Sequence, residues 1–212
     1  MLMAGVLTSS HAACVWVPLL PLRLEEARRP ELGARPLALL DPHDGRRLWQ
    51  VSPLARREGV RPGMTIGQAI GLCAPLVLCE PDPVHYDERF ASLLVALGEV
   101  SPVVEPAELG RAFVGTDGLE RLYGGPEKLL EIIQCVVRGA WFSPVRNQPT
   151  RCPATHRQIP RTTHHAPRTT PLRLGWGKGK FLAWVAASRA APGDAVIVRS
   201  GEERRFLASQ SI

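Results

Sequence analysis

Hydrophobic residues come in short blocks along this chain, and the residues that interrupt them are mostly turn and cap formers. ACVWV, Ala13 to Val17, is an apolar β-prone run stopped by Pro18, which predicts a buried strand. Leu22 to Arg29 reads as a short helix ending before Pro30, and PLALLD, Pro36 to Asp41, as a second strand. DPHDG is turn chemistry leading into RRLWQV, the hairpin partner of that strand. Ser52 before Pro53 is an N-cap and first-turn pair, and the helix it opens ends at Gly59. Thr65 caps a further short helix to about Leu72. Asp82 and Pro83 repeat the cap, after which Tyr86, Phe90, Leu93, Leu94 and Leu97 share one helical face. Pro102 to Pro106 and Arg111 to Thr116 give two more strands, and Pro126 starts a helix striped by Leu129, Ile132, Ile133, Val136 and Val137. Each stripe is core packing.

The pattern fails from Ala140 to Thr170, a stretch rich in Pro, Thr, His and Arg that is expected to be disordered because it has too little apolar surface to bury. Regularity returns at LRLGW, with a helix from Lys178 to Ala190, a strand AVIVR at 195–199 and a last helical piece from Glu202. Strands and helices mixed in this way, with hairpins as well as crossovers, predict an α+β layer fold of ferredoxin-like type.

Composition changes this picture little: 45% apolar and 22% charged residues are ordinary for a folded, soluble chain of 212 residues. Charge changes it more. The net +6 resides in Ser143 to Arg173, which carries six arginines and no acid; the remainder holds twenty basic and twenty acidic residues. Five scattered cysteines without a C-x-x-C pair fit a reduced, intracellular setting. MLMAGVLTSSHAAC lacks the basic start and apolar centre of a signal peptide. No run approaches the ~20 apolar residues of a membrane span.

Several segments carry a resemblance. SPLARREGVRPGMTIGQAIGLCAPLVLCEPDPVHYDERFASLL, Ser52 to Leu94, is similar to the S-Y-E-A-R, G-V-x-x-G-M, C-P-x-L and D-x-x-x-Y elements of the Y-family (UmuC/DinB-like) translesion DNA polymerases. FLAWVAASRAAPGDAVIV, Phe181 to Val198, resembles their F-L-A-K-x-A-S and K-P-x-G elements. VWVPLLPLRLEE and GLERLYGGPEKLLEII look most like the ImuB branch, polymerase-shaped proteins of bacterial SOS mutagenesis systems that have lost catalytic acids and act as adaptors. The resemblance implies a polymerase palm with a small fingers subdomain, truncated before the thumb and little finger. The division it implies is an extension at 1–11, palm and fingers at 12–139, a basic insertion at 140–171 and the rest of the palm at 172–212.

Two-metal phosphoryl transfer needs clustered carboxylates to hold two divalent ions about 4 Å apart. Aligned with the family's V-D-x-D-x-F-F-x-S-V-E, this chain has Trp16 at the first metal-binding position and Pro18 at the next acid. Counting from Glu105, the family's Asp-Glu pair lands on Gly110 and Arg111. An arginine puts a fixed positive charge where a cation should bind. Glu105, Glu108 and Asp117 are the nearby substitutes, with Glu108 able to share a strand face with Gly110, but the favoured reading makes them a solvated edge.

Nucleotide contacts are thinned as well. Arg56 matches the S-Y-E-A-R arginine, whose planar fork suits phosphate. Pro53 replaces the tyrosine of that motif, Ala191 the lysine of K-P-x-G, and Leu20 with Pro21 the aromatic pair that screens ribose. Arg56 is left as a phosphate-binding residue or a helix-surface charge. GWGKGKF lacks the spacing and the Ser or Thr of a Walker loop; as a turn entering a helix it offers Lys178 and Lys180 to a DNA phosphate, or simply to solvent. Cys152, His156, His164 and His165 match no zinc spacing. Their segment is a basic insertion or a stretch translated out of frame, able to hold DNA without reading its sequence.

The expectation is a catalytically degenerate DNA-repair module, needing no cofactor, that binds primer-template DNA, with a sliding clamp and an accessory translesion polymerase as implied partners. Its implied place is the bacterial cytoplasm, at the nucleoid, with no membrane. Two readings compete: an active error-prone polymerase using Mg2+, and an interaction domain or decayed gene without DNA binding.

Overall fold

A computed structural model describes residues 10–142 and 171–209; the cysteine and histidines of the basic segment, between 143 and 170, lie outside the described residues. The chain divides into two compact units, one of Met1–Pro18 with Arg89–Ile212 and one of Leu19–Glu88.

The first unit is built on a five-stranded sheet. β1 (His11–Trp16), β5 (Val104–Glu108), β6 (Arg111–Gly115), β7 (Arg173–Lys178) and β8 (Ala195–Ile197) lie in the order β5-β6-β1-β7-β8. β5 and β6 are a hairpin, β1 runs antiparallel to both β6 and β7, and β7 and β8 are parallel. Strands β7-β1-β6-β5 have the 4-1-3-2 order of a ferredoxin-like βαββαβ sheet, with α6 (Pro126–Phe142) leading to its last strand and α7 (Gly179–Arg189) adding β8 at the edge. A short α5 (Leu119–Tyr123) precedes α6, and α8 (Glu203–Ala208) follows β8. Of the α6 stripe read from the sequence, Leu129, Ile133, Val136 and Val137 are buried and Ile132 is half-buried, while Leu130, outside the stripe, is buried too.

The second unit holds α1 (Leu20–Arg28), a 3-10 turn at Pro30–Ala34, β2 (Leu37–Leu40), β3 (Leu48–Val51), α2 (Pro53–Arg57), α3 (Ile66–Leu72) and β4 (Val77–Cys79). Its sheet has the order β3-β2-β4, and α4 (Pro83–Gly98) begins here and continues into the first unit. β4, a three-residue strand parallel to β2, is absent from the periodicity reading because three residues show no period.

Local chemistry sets the helix starts. Ser52 Oγ accepts from Ala55 N at 3.3 Å, and Thr65 forms a reciprocal capping box with Gln68. Asp82 Oδ1 accepts from His85 N at 3.2 Å. Glu25, only 2% exposed, accepts from Tyr86 Oη at 2.8 Å and Arg29 Nη2 at 2.6 Å. That buried carboxylate is tolerated because it is bonded on both oxygens. Burial, with Glu25 beside it, pushes the Tyr86 phenol well above its ordinary range.

Candidate functional site

Strand pairing alone brings the chemistry-bearing residues of the first unit together. Residues directly opposed on antiparallel neighbours send their side chains to the same face. Trp16 opposes Arg111 on one side and Arg173 on the other, and Arg111 opposes Glu108 across the hairpin. Glu108, Arg111, Trp16 and Arg173 therefore make one rung across four strands. The next rung on that face is Phe113, Cys14 and Gly175, and the one beyond is Gly115, Ala12 and Gly177.

The two smaller rungs seat α7. A Cβ on Gly175 would lie 2.1 Å from the Ala183 carbonyl oxygen and 2.2 Å from Ala187 N, so only glycine lets helix and strand approach this closely. Ala12, Cys14, Phe113, Ala183 and Ala187 form a buried cluster, with Trp16 and Val103 packed against it. Burial pushes the Cys14 thiol up to about 12, against the pull of Arg111, so the sulfur is neutral and inert.

The outer rung is electropositive. Arg111 Nη2 lies 3.3 Å from Glu108 Oε2, and its guanidinium covers the Trp184 ring at 5.5 Å. Arg173 covers the Trp16 ring at 5.6 Å and donates from Nη1 to the Ser188 carbonyl, near the C-terminus of α7, at 3.2 Å. The Nε of each arginine is buried and has no hydrogen-bond acceptor among the described residues. Beside the rung, Lys180 Nζ bonds Glu105 Oε1 at 2.9 Å.

Gly110 sits in the tight turn between β5 and β6 at φ +92°, and its carbonyl accepts from Val17 N at 2.8 Å. An aspartate there would need a backbone conformation that L residues rarely adopt. Pro18, half-buried, follows the end of β1, where its missing N–H stops the ladder. As a donor set for two divalent cations this corner does not fit: it offers a guanidinium, an indole, a proline and a glycine. Among the described residues no three His, Cys, Asp or Glu side chains come together as ligands.

The substitute carboxylates are engaged rather than a solvated edge. Glu105 pairs with Lys180 and Glu108 with Arg111. Because Gly110 lies in the turn, Glu108 shares its face with Arg111 instead. Asp117, at the opposite end of the sheet, accepts from Ser10 N, Ser10 Oγ and His11 N at 2.7, 2.8 and 2.9 Å. Desolvation acts to raise its pKa, but these bonds together outweigh it and hold the carboxyl below the ordinary range.

GWGKGKF is not a turn throughout. Its first four residues end β7, and only Gly179, at φ +73°, makes the bend into α7. Lys178 is exposed at that bend, whereas the Lys180 ammonium is tied to Glu105. In the second unit, Arg56 is exposed on α2, its Nε donating to the Val51 carbonyl at 3.2 Å. Sequence reading missed Arg173 as part of the rung and Trp184 as its cover. The available signal was FLAWVAAS itself, where Trp184 stands in place of the motif lysine.

A ferredoxin-like sheet hosts many functions, and the comparisons give the class. Residues 16–188 match the model of the impB/mucB/samB family, and the chain belongs to that family of Y-family polymerase domains. It is 27% identical over 184 residues to DNA polymerase IV 2 of Mesorhizobium japonicum, covering 87% of this chain and 37% of that one. It is 26% identical over 190 residues to a DNA polymerase IV of Dehalococcoides mccartyi, covering 89% and 42%. Among solved structures, the insertion ternary complex of Dbh DNA polymerase superposes with a TM-score of 0.71 at 17% identity, over 95% of this chain and 52% of that one. DinB from Sulfolobus solfataricus gives 0.69 at 16% identity, over 93% and 50%. The chain thus spans about half the length of these polymerases or less.

Proposed function

We propose that this chain acts in DNA damage tolerance as a polymerase-shaped surface that binds primer-template DNA and adds no nucleotides itself. The observation that carries the reading is the Trp16–Arg111 pair. These two residues, which the resemblance aligns with metal-binding acids, face each other across β1 and β6, and the second brings a cation of its own. A guanidinium fixed over Trp184 and beside Glu108 repels the divalent ions that phosphoryl transfer requires. The same charge attracts the phosphodiester backbone. Arg56, with Nε tied to Val51, and the exposed Lys178 supply further positive charge for phosphates.

In this reading the chain is a member of the ImuB-like branch, at work in the bacterial cytoplasm on the nucleoid. It leaves synthesis to an accessory translesion polymerase and is held at the template with a sliding clamp. The four-part division at residues 11/12, 139/140 and 171/172 belongs to the same proposal.

The competing reading is an active error-prone polymerase, favoured by the DNA polymerase IV names of the relatives. Primer extension at enzyme concentrations above the DNA, with Mg2+ or Mn2+, separates the two. Binding without a single added nucleotide is the expected result; metal-dependent extension would establish the competitor.

A further inference from the structure

Two aromatic side chains on α7 are exposed to solvent. Phe181 is 63% exposed and Trp184 37% exposed, in a helix whose Leu182 is buried and Val185 half-buried. They are three residues apart and so share a helix face, with ring centroids 6.1 Å apart and planes tilted by 53°. Arg111 lies against the Trp184 ring at 5.5 Å, and Lys180 and Glu105 flank the same strip.

The rung beside them carries more positive than negative charge. Arg111 and Arg173 together face one carboxylate on the rung, Glu108, which is itself 53% exposed. The charge left over on the rung is positive, and the guanidinium of Arg111 lies directly against one of the exposed rings. Guanidinium groups alternating with exposed rings is the pattern that holds unpaired nucleic acid: a ring takes a base face, and a cation the neighbouring phosphate.

We infer that Trp184, with Phe181 beside it and Arg111 behind it, is a stacking platform for an unpaired base of single-stranded DNA, whose phosphates are taken by Arg111 and Arg173 without a metal ion. An acidic peptide would use the arginines and leave both rings idle. A DNA duplex keeps its base faces internal. An unpaired strand uses both features. The inference rests on the proposal that DNA is the ligand of this sheet, and it assigns to that sheet a second mode, base stacking, in addition to phosphate attraction.

The test uses fluorescence anisotropy of a labelled 16-nucleotide thymidine strand and of a blunt duplex, in EDTA, with the whole chain. The variants are Trp184→Ala, Trp184→Phe and Trp184→Lys, all at an exposed position where the fold tolerates change. Stacking predicts that Trp184→Ala weakens single-strand binding about five- to twenty-fold, that Trp184→Phe restores most of it, and that duplex binding shifts less than about two-fold. Trp184→Lys is the sharpest variant. It adds a positive charge and removes the ring, so a platform loses affinity for the single strand while a purely electrostatic patch gains it. Wild-type binding to both DNAs that is unchanged in Trp184→Ala, or strengthened in Trp184→Lys, overturns the inference and leaves the DNA-binding reading standing. Failure of the wild-type chain to bind either DNA overturns both, whereas an acidic peptide that outcompetes the single strand overturns the inference alone.

Discussion

Strands β1, β6 and β7 end differently at their two extremities. At one end the rung is Gly115, Ala12 and Gly177, and the nearby carboxylate of Asp117 is saturated by three donors from Ser10 and His11. At the other the rung is Arg111, Trp16 and Arg173, and two Nε–H groups are left without acceptors among the described residues. The acid is engaged in architecture at one end, and the charge left over at the other is cationic. Four residues of β1 separate the ends, roughly 13 Å, so the Asp117 carboxylate cannot serve the rung at Arg111. What the contrast teaches is that the presence of acids near a polymerase-like sheet says little until their partners are known.

The largest effect should come from the rung between the two ends. Gly175→Ala drives a methyl into the α7 backbone, and overpacking of this severity costs about 3 kcal/mol or more, enough to abolish a cooperative melt by circular dichroism. Retention of the wild-type Tm would mean that α7 is not seated on the sheet as described. Next comes the saturated end. Asp117→Ala hands the exposed Ser10 and His11 donors to water and should lower stability by about 1 kcal/mol in urea titration, with Asp117→Asn costing less.

The same carboxylate sets a pH dependence. Because its folded pKa lies below the unfolded value, its stabilisation is complete above the ordinary Asp range and is lost as pH falls through the folded value. Wild type should therefore lose more stability than Asp117→Asn between about pH 4 and pH 2. Parallel acid limbs for the two would remove Asp117 as the clamp of that end. The smallest effect concerns the thiol under the rung. Cys14, held neutral by burial, should resist iodoacetamide at pH 8 in the native chain, while the exposed Cys135 reacts, as peptide mass mapping would show.

Much of this was legible in the residues. Ser52, Thr65 and Asp82 announce helix starts because capping is local chemistry, and the α6 stripe follows from its period. The replacements at Trp16 and Arg111 also showed in the sequence, since ordered motifs fix the count. That the two residues oppose each other was not legible, because register is set by pairing partners nearly a hundred positions apart. The arginine–tryptophan contacts were hidden for the same reason: Arg173 lies at the edge of a basic stretch, and only strand pairing moves it beside Trp16. Gly175 reads like part of a phosphate loop until the approach of α7 gives it a steric purpose.

The central claim is that a protein cation at Arg111 replaces a bound metal, and a Mg2+ titration of primer-template affinity, followed by anisotropy from EDTA to millimolar Mg2+, tests it most directly. The affinity of the wild-type chain should be undiminished in EDTA and fall only as Mg2+ competes for phosphates, and Arg111→Glu should weaken it about ten-fold and lower the salt slope by about one. Affinity that appears only on adding Mg2+, or that is indifferent to Arg111→Glu, would contradict it.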